Sequence, residues 1–480
     1  MSVLVVDVGT SSVRAAIVRA DATIDHERSR PSLPASPGPG LVEFDPAEMA
    51  HIVVELANGV LAAGGPVGAV AITNQRGSVV VWDRTSGEPV GPGVGWQDLR
   101  TVGRCLELTA DGFTIAPNQS ATKVEHLLDL VDAERTRDLC AATVDGWLAW
   151  TLSRGGVHAI DATNASITGL VRHDVSNWDD AVLEALRIPR SMLPAIVDTS
   201  GDVGVASALE GAPPICALVG DQQASLVGQG GVRTGDTKIT FGTGGMLDVV
   251  VEGQLSVDAQ AAAGTYPLVA SRRGGVDTWA LEGVMLAAGT NVEWLRDELG
   301  IVSSAEETSE LAAECDETGD VWFVPAPLGL GTPYWDSGAR GTLLGVTRGT
   351  GRPELVRAVL EGVAHRGTDL VEAAEADAGL RIERLRVDGG MSANETFVQA
   401  LADASARIVE VSPQREATGL GAGFLAGLTL GLWSDDDLAA TWRPRVRVEP
   451  RRRLDRDRWR EAVSRAERWL PDLSAISFQS

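Results

Sequence analysis

The chain has 480 residues, 44% hydrophobic and 22% charged, which is enough apolar material for a sizeable core and excludes a disordered chain. Its 41 Lys and Arg face 66 Asp and Glu, and the formal net charge of −25 repels phosphate backbones and anionic membranes alike. Neither nucleic acid nor a membrane is therefore an expected partner, while a small molecule is, and a homo-oligomer stays open. Cys105, Cys140, Cys216 and Cys315 are too scattered for a disulfide framework or a Cys-x-x-Cys zinc site, and they suit the cytoplasm.

The first segment, MSVLVVDVGT, has no basic n-region and is interrupted by Asp7, so it is read as structure rather than as a signal peptide. Two β-rich runs between Val3 and Val18 flank a Gly-Thr-Ser-Ser turn and predict a hairpin. Pro31 to Gly40 reads as a loop, Asp45 to Ala63 as a helix, and Val67 to Thr73 and Ile215 to Val219 as strands. A second hairpin is predicted from Thr237 to Val251, around Gly-Thr-Gly-Gly. The recurrence suggests two halves of related architecture, 1–230 and 231–480, divided in the Gly-rich run near Gly230. In the second half, Val284 to Leu299 and Pro353 to Ala378 read as helices, Glu383 to Val387 as a strand, and Ala393 to Ala404 as the helix after it. This alternation predicts α/β layers.

Ala417 to Ser434 carries no charge and repeats glycine at 419, 423, 427 and 431; it reads as a helix packed closely on a sheet rather than as a membrane span. Gly421 to Ala426 fits G-x-G-x-x-A, but Gln414 to Thr418 before it is polar and turn-like, so a dinucleotide loop is not expected. The tail from Arg443 to Arg468 holds eleven arginines interleaved with acids and reads as a salt-bridged C-terminal helix.

Only two lysines occur, Lys123 and Lys238, and neither follows a glycine, so no Walker A loop exists. The two Gly-Thr turns remain. Glycine turns let backbone N–H groups converge on phosphate oxygens, Thr10, Ser11 and Thr243 add hydroxyls, Asp7 suits Mg²⁺, and Arg14 suits a phosphate. Either turn alone reads better as a plain hairpin, but the two together suit one phosphate group held between them. Asp221 closes the strand Ile215 to Val219, where it is placed either as a general base or as the start of a helix. Arg386 to Asn394 brings a strand into a Gly-Gly turn that could lie against a nucleoside, or be a simple connection.

Taken in order, DVGTSSVR, LVEFDP, ITNQR, WQDLR, GDQQ, FGTGG, ALEG, GLGTPYWD, RVDGG and GLGAGFLAG resemble the FGGY carbohydrate kinase family over about residues 2 to 470, and within it the glycerol kinases. The resemblance implies two lobes of the actin/hexokinase/Hsp70 ATPase (ribonuclease H-like) type, an interdomain cleft, and ATP with Mg²⁺ as cofactors. It implies ATP-dependent phosphorylation of a primary hydroxyl of a small polyol, with Asp221 as catalytic base and Asp7 at the metal. Thr10, Ser11, Ser12, Arg14, Gly242, Thr243, Gly289, Gly389, Gly390 and Asn394 fall at nucleotide positions, and Arg76, Trp96, Asp221 and Gln222 at acceptor positions. An actin- or Hsp70-like ATPase would share the turns but have no use for the acceptor set.

The chain departs from the glycerol kinase pattern at Gly77 (usually Glu), Asn118 (usually Tyr), Met246 (usually aromatic) and His126 (usually Trp). Two hydrogen-bonding partners and one apolar wall of the usual glycerol pocket are thereby changed, and the smaller Gly77 is also expected to make room, which makes a tetritol, a pentitol, xylulose or ribulose a rival acceptor. Glu210 to Pro214 replaces the family's fructose bisphosphate loop, so that control is expected to be missing.

Overall fold

The computed structural model describes residues 1–413 and 417–476. Its first sheet contains β1 (Ser2–Val8), β2 (Ser12–Arg19), β3 (Ile24–Pro31), β4 (Ala69–Asn74), β5 (Ser200–Val205) and β6 (Pro214–Gly220), in the order β5-β6-β4-β1-β2-β3. The second contains β7 (Thr237–Phe241), β8 (Gly245–Val251), β9 (Tyr266–Arg273), β10 (Val276–Met285), β11 (Arg384–Asp388), β12 (Ile408–Val411) and β13 (Val446–Val448), in the order β9-β10-β8-β7-β11-β12-β13. Both sheets share one plan. An antiparallel hairpin and a third antiparallel strand are followed by two parallel strands: β3-β2-β1-β4-β6 in one, β10-β8-β7-β11-β12 in the other. The two predicted hairpins are the cores of these units.

The helices that matter here are α1 (Pro46–Gly64), α2 (Ala121–Val131), α3 (Asp221–Gly228), α4 (Arg352–Ala378), α5 (Glu395–Ser405), α6 (Ala417–Thr429) and α7 (Arg456–Ala466). Asp45 caps α1 by accepting from the Ala47 and Glu48 amides, and Pro46 fits the first helical position, where no N–H is needed. β1 is apolar on both faces because both are covered. Leu4, Val6 and Val8 pack towards α1, while Val3 and Val5 pack against Leu420, Phe424 and Leu425 of α6. The central helices are exchanged: α6, from the second half of the sequence, covers the first sheet, and Leu226 of α3 packs on Val250, Leu268 and Ala280 of the second. They cross with almost no side chain between them. A Cβ at Gly421 would overlap the Ala224 carbonyl, and one at Gly228 the Ala417 carbonyl.

The expected helix from Val284 is corrected. Val284 and Met285 complete β10, paired with Met246 and Gly245, and helix begins only at Thr290. The Ala-Leu run there imitates a helix, but sheet pairing decides it. The arginine tail is helical only in α7; Val446–Val448 joins the second sheet as β13. Its arginines do form ion pairs, such as Arg456 with Asp369 and Glu372 and Arg465 with Glu461. The G-x-G-x-x-A run lies inside α6, with Gly421 against α3 and Gly423 against Val18 of β2. Of the polar segment before it, residues 414–416 lie outside the described residues, and Ala417 and Thr418 already belong to α6. Among the described residues, no helix is long and apolar enough to cross a membrane.

Candidate active site

Strands β1, β4 and β6 run parallel, and their C-terminal ends converge. Asp7 lies opposite Thr73, and Asn74 opposite Gly220, so Asp7, Arg76 and Asp221 emerge at one edge. Buried polar contacts fix this edge. Asn74 and Asn164 exchange amide hydrogen bonds of 3.0 and 3.1 Å. Thr163 Oγ1 accepts from the Gly220 amide at 2.9 Å, and Asp161 in turn accepts from Thr163, Asn164 and Thr199. The backbone that carries Asp221 is thus held by a satisfied network.

Asp221 is the first residue of α3, so both sequence readings of its place hold together: it opens a helix and it ends a strand. Its Oδ1 accepts from the Gln222 amide at 2.8 Å and lies 3.6 Å from Arg76 Nε. Burial pushes its carboxyl above the usual carboxylate range, while Arg76, the Gln222 amide and Lys238 pull it down. Burial also pushes Asp7 up to about 6, against the pull of Arg14 at 3.9 Å, and Asp221 adds to the rise. Asp221 thus lies near enough to act on Asp7 from a strand two places away in the same sheet.

Of the first turn, Thr10 Oγ1 accepts from Trp96 Nε1 at 3.2 Å, which joins an expected phosphate residue to an expected acceptor residue. Ser11 is exposed and Ser12 begins β2, its carbonyl accepting from the Gly9 amide at 2.9 Å. In the second half, the Gly242 and Thr243 carbonyls accept from the Gly289 and Ala288 amides at 2.9 and 2.7 Å, so Gly289 is stitched to the second turn. Gly389 and Gly390 follow β11 directly. Asn394 caps α5 through Phe397 N and donates to Thr308 Oγ1, both at 2.9 Å, so each end of its amide already has a protein partner.

The halves are tied across this region by groups that the sequence reading did not assign. Arg76 Nη2 donates to Glu282 Oε2 at 2.6 Å, Lys238 Nζ to Gln222 Oε1 at 2.6 Å, and Gln229 Nε2 to Asp388 Oδ2 at 2.7 Å. Asp248 pairs with Lys238 at 2.8 Å. Glu282 sits in the ALEG run and Lys238 is one of only two lysines; those were the available signals.

Gly77 overturns one expectation. Its φ is +73°, and a Cβ there would meet the Asn118 carbonyl oxygen at 2.5 Å and Trp96 Cβ at 3.5 Å. The position a Cβ would take is closed by the Asn118 carbonyl, so the glycine opens no space at that point. Gly77→Glu is accordingly expected to cost about 2–3 kcal/mol, from left-handed strain plus overpacking. Urea unfolding measures this, and a variant as stable as wild type would show that the 117–119 loop yields.

The description "FGGY family of carbohydrate kinases" fits residues 2–228 as its N-terminal domain and 237–430 as its C-terminal domain. Glycerol kinase 2 of Thermotoga maritima is 39% identical, over 97% of this chain and 99% of its own length. The Dechloromonas aromatica glycerol kinase is 40% identical, over 97% and 98%. The structure of Plasmodium falciparum glycerol kinase with ADP superposes with a TM-score of 0.90 at 29% identity, covering 97% of this chain and 98% of that one. A Lactobacillus acidophilus xylulose kinase shares the fold at a TM-score of 0.84 and 18% identity, over 96% and 95%. The chain belongs to the FGGY family of carbohydrate kinases, phosphotransferases with an alcohol group as acceptor.

Proposed function

We propose that the protein transfers the γ-phosphoryl group of ATP to a primary hydroxyl of a small polyol, with glycerol, converted to glycerol 3-phosphate, as its acceptor. The observation that carries this reading is the carboxylate of Asp221 at the end of β6, 3.6 Å from Arg76 and at the same sheet edge as Asp7. Asp221 takes the acceptor's hydroxyl proton as the oxygen attacks phosphorus, and Arg76 keeps that carboxylate ionised until it does. Arg76, Trp96 and Gln222 orient the acceptor. Thr10, Ser11, Ser12 and Arg14 on one side, and Gly242, Thr243 and Gly289 on the other, take the phosphates, with Gly389, Gly390 and Asn394 beside the nucleoside. Lobes of residues 1–230 and 231–480 close on the cleft, with α3 and α6 as the crossing between them.

Among the described residues, no three His, Cys, Asp or Glu side chains cluster to hold a metal. A lone carboxylate at a phosphate turn still fits Mg²⁺, which is commonly held by one or two carboxylates together with substrate phosphates. Asp7 would hold it, and the ion would offset charge on the phosphate oxygens. Four unpaired cysteines suit the cytoplasm.

The closed position beside Gly77 removes one reason to favour a larger acceptor, while the exchanges at Asn118 and Met246 still leave the pocket different from the usual glycerol site. A coupled ADP-release screen over glycerol, tetritols, pentitols, xylulose and ribulose tests the assignment. Glycerol is expected to give the highest kcat/KM. A pentitol or ketose surpassing it by about 10-fold or more replaces glycerol and points to Met246 as the deciding change. Turnover of none of them would overturn the kinase reading for this chain.

A further inference from the structure

Of the 41 Lys and Arg residues, only two are lysines, so this sequence writes almost every cation as arginine. Lys123 and Lys238 are both 0% exposed, and no exposed lysine exists. Each occupies a place that a surface cation would not. Lys123 lies in the first turn of α2, where the helix dipole disfavours positive charge, and burial lowers its pKa to about 8. Retaining lysine there calls for a geometric reason.

Each ammonium has three N–H groups; Lys123 meets three hydrogen-bond acceptors, and Lys238 meets two with a carboxylate beside it. Lys123 Nζ donates to the carbonyls of Pro117 at 2.6 Å, Gln119 at 2.8 Å and Trp96 at 3.3 Å. Lys238 Nζ donates to Gln222 Oε1 at 2.6 Å and Thr240 Oγ1 at 3.1 Å and pairs with Asp248 Oδ2 at 2.8 Å. A planar guanidinium cannot aim three donors at such converging sets from one centre. The consequences lie at the acceptor site. Lys123 draws the 117–119 loop and Trp96 together around Gly77. Lys238, from the second half, takes the oxygen of the Gln222 amide, which leaves the Gln222 NH₂ as the end free to donate towards an acceptor oxygen.

We propose that Lys123 and Lys238 are positioning residues of the acceptor site, Lys123 acting through Trp96 and Lys238 through Gln222. Lys238 also couples acceptor grip to the second half of the chain. This inference rests on the acceptor-site reading above.

Double-mutant cycles test it, with full-length enzyme and glycerol, or the best acceptor of the screen, as the probe. Removing Lys238 alone strands Asp248, so the variant is Lys238→Met with Asp248→Leu, which keeps the buried volume apolar. Lys123→Met and this double variant are each expected to raise the acceptor KM about 10-fold or more, with the KM for ATP within about 2-fold. Combined with Trp96→Ala and Gln222→Ala respectively, each is expected to add less than about 2-fold, because the residue it acts through is already gone. Lys→Arg at either position is expected to fail to restore the acceptor KM. Additive effects, a parallel rise in the KM for ATP, or rescue by arginine would overturn the proposal even in an active kinase. A wild-type enzyme that phosphorylates no polyol or ketose would instead remove the reading it rests on.

Discussion

Asp221→Asn is expected to lower kcat by about 10³–10⁴-fold while leaving the KM for ATP within about 3-fold of wild type. The substitution is nearly isosteric, and the amide oxygen of asparagine can still accept from the Gln222 amide, so the start of α3 keeps its contact. What disappears is a base within reach of the hydroxyl proton, and with it the charge that Arg76 faces at 3.6 Å. Arg76 keeps Glu282 as a partner at 2.6 Å, so no cation is stranded. The pH profile supplies an independent check. Burial holds the Asp221 carboxyl above its ordinary range, and the base works only when ionised, so kcat/KM falls as pH drops through that raised value. The acid limb attributable to Asp221 is expected to be absent from the variant. ADP release measured across pH decides it, and near-normal turnover by the asparagine enzyme would remove Asp221 from the role of base.

Much of the fold was legible because its signals are local. The two Gly-Thr turns between β-rich runs announced β1-β2 and β7-β8, and the pattern from Asp45 to Ala63 announced α1. The apolar run ending in Gly220-Asp221 located the proposed base, since a buried parallel strand reads as a continuous apolar stretch. What stayed hidden depends on residues far apart in sequence. Glu282 and Lys238 reach the site only because β10, β8 and β7 pair in one register, which places Asp248 opposite both. The meaning of Gly77 depends on the Asn118 carbonyl, from a loop no local pattern connects to it. Val284 and Met285 were misassigned because an Ala-Leu-Gly composition fits a helix until an adjacent strand claims the backbone.

The glycine repeat of α6 shows the same division at its sharpest. Periodicity singled out Gly419, Gly423, Gly427 and Gly431, yet a Cβ at Gly419 meets nothing within 4 Å. Gly421, outside the repeat, is the residue whose Cβ would overlap the Ala224 carbonyl and crowd the Gly228 amide. The two substitutions should therefore diverge. Gly419→Ala exchanges a poor helix former for the best one in open space and is expected to gain up to about 1 kcal/mol. Gly421→Ala gains the same propensity but drives α6 off α3, and overpacking of rigid backbone on backbone is expected to leave a net loss of about 2–3 kcal/mol in urea unfolding. The helix it pushes against, α3, carries Asp221 at its first position, so activity should fall with stability. A drop of about 10-fold in kcat at temperatures where the variant stays folded is the expected outcome, because small misplacements of a reacting group are costly. Equal stability and equal kcat for the two alanine variants would show that α3 and α6 separate freely, and that their crossing does not set the position of the base.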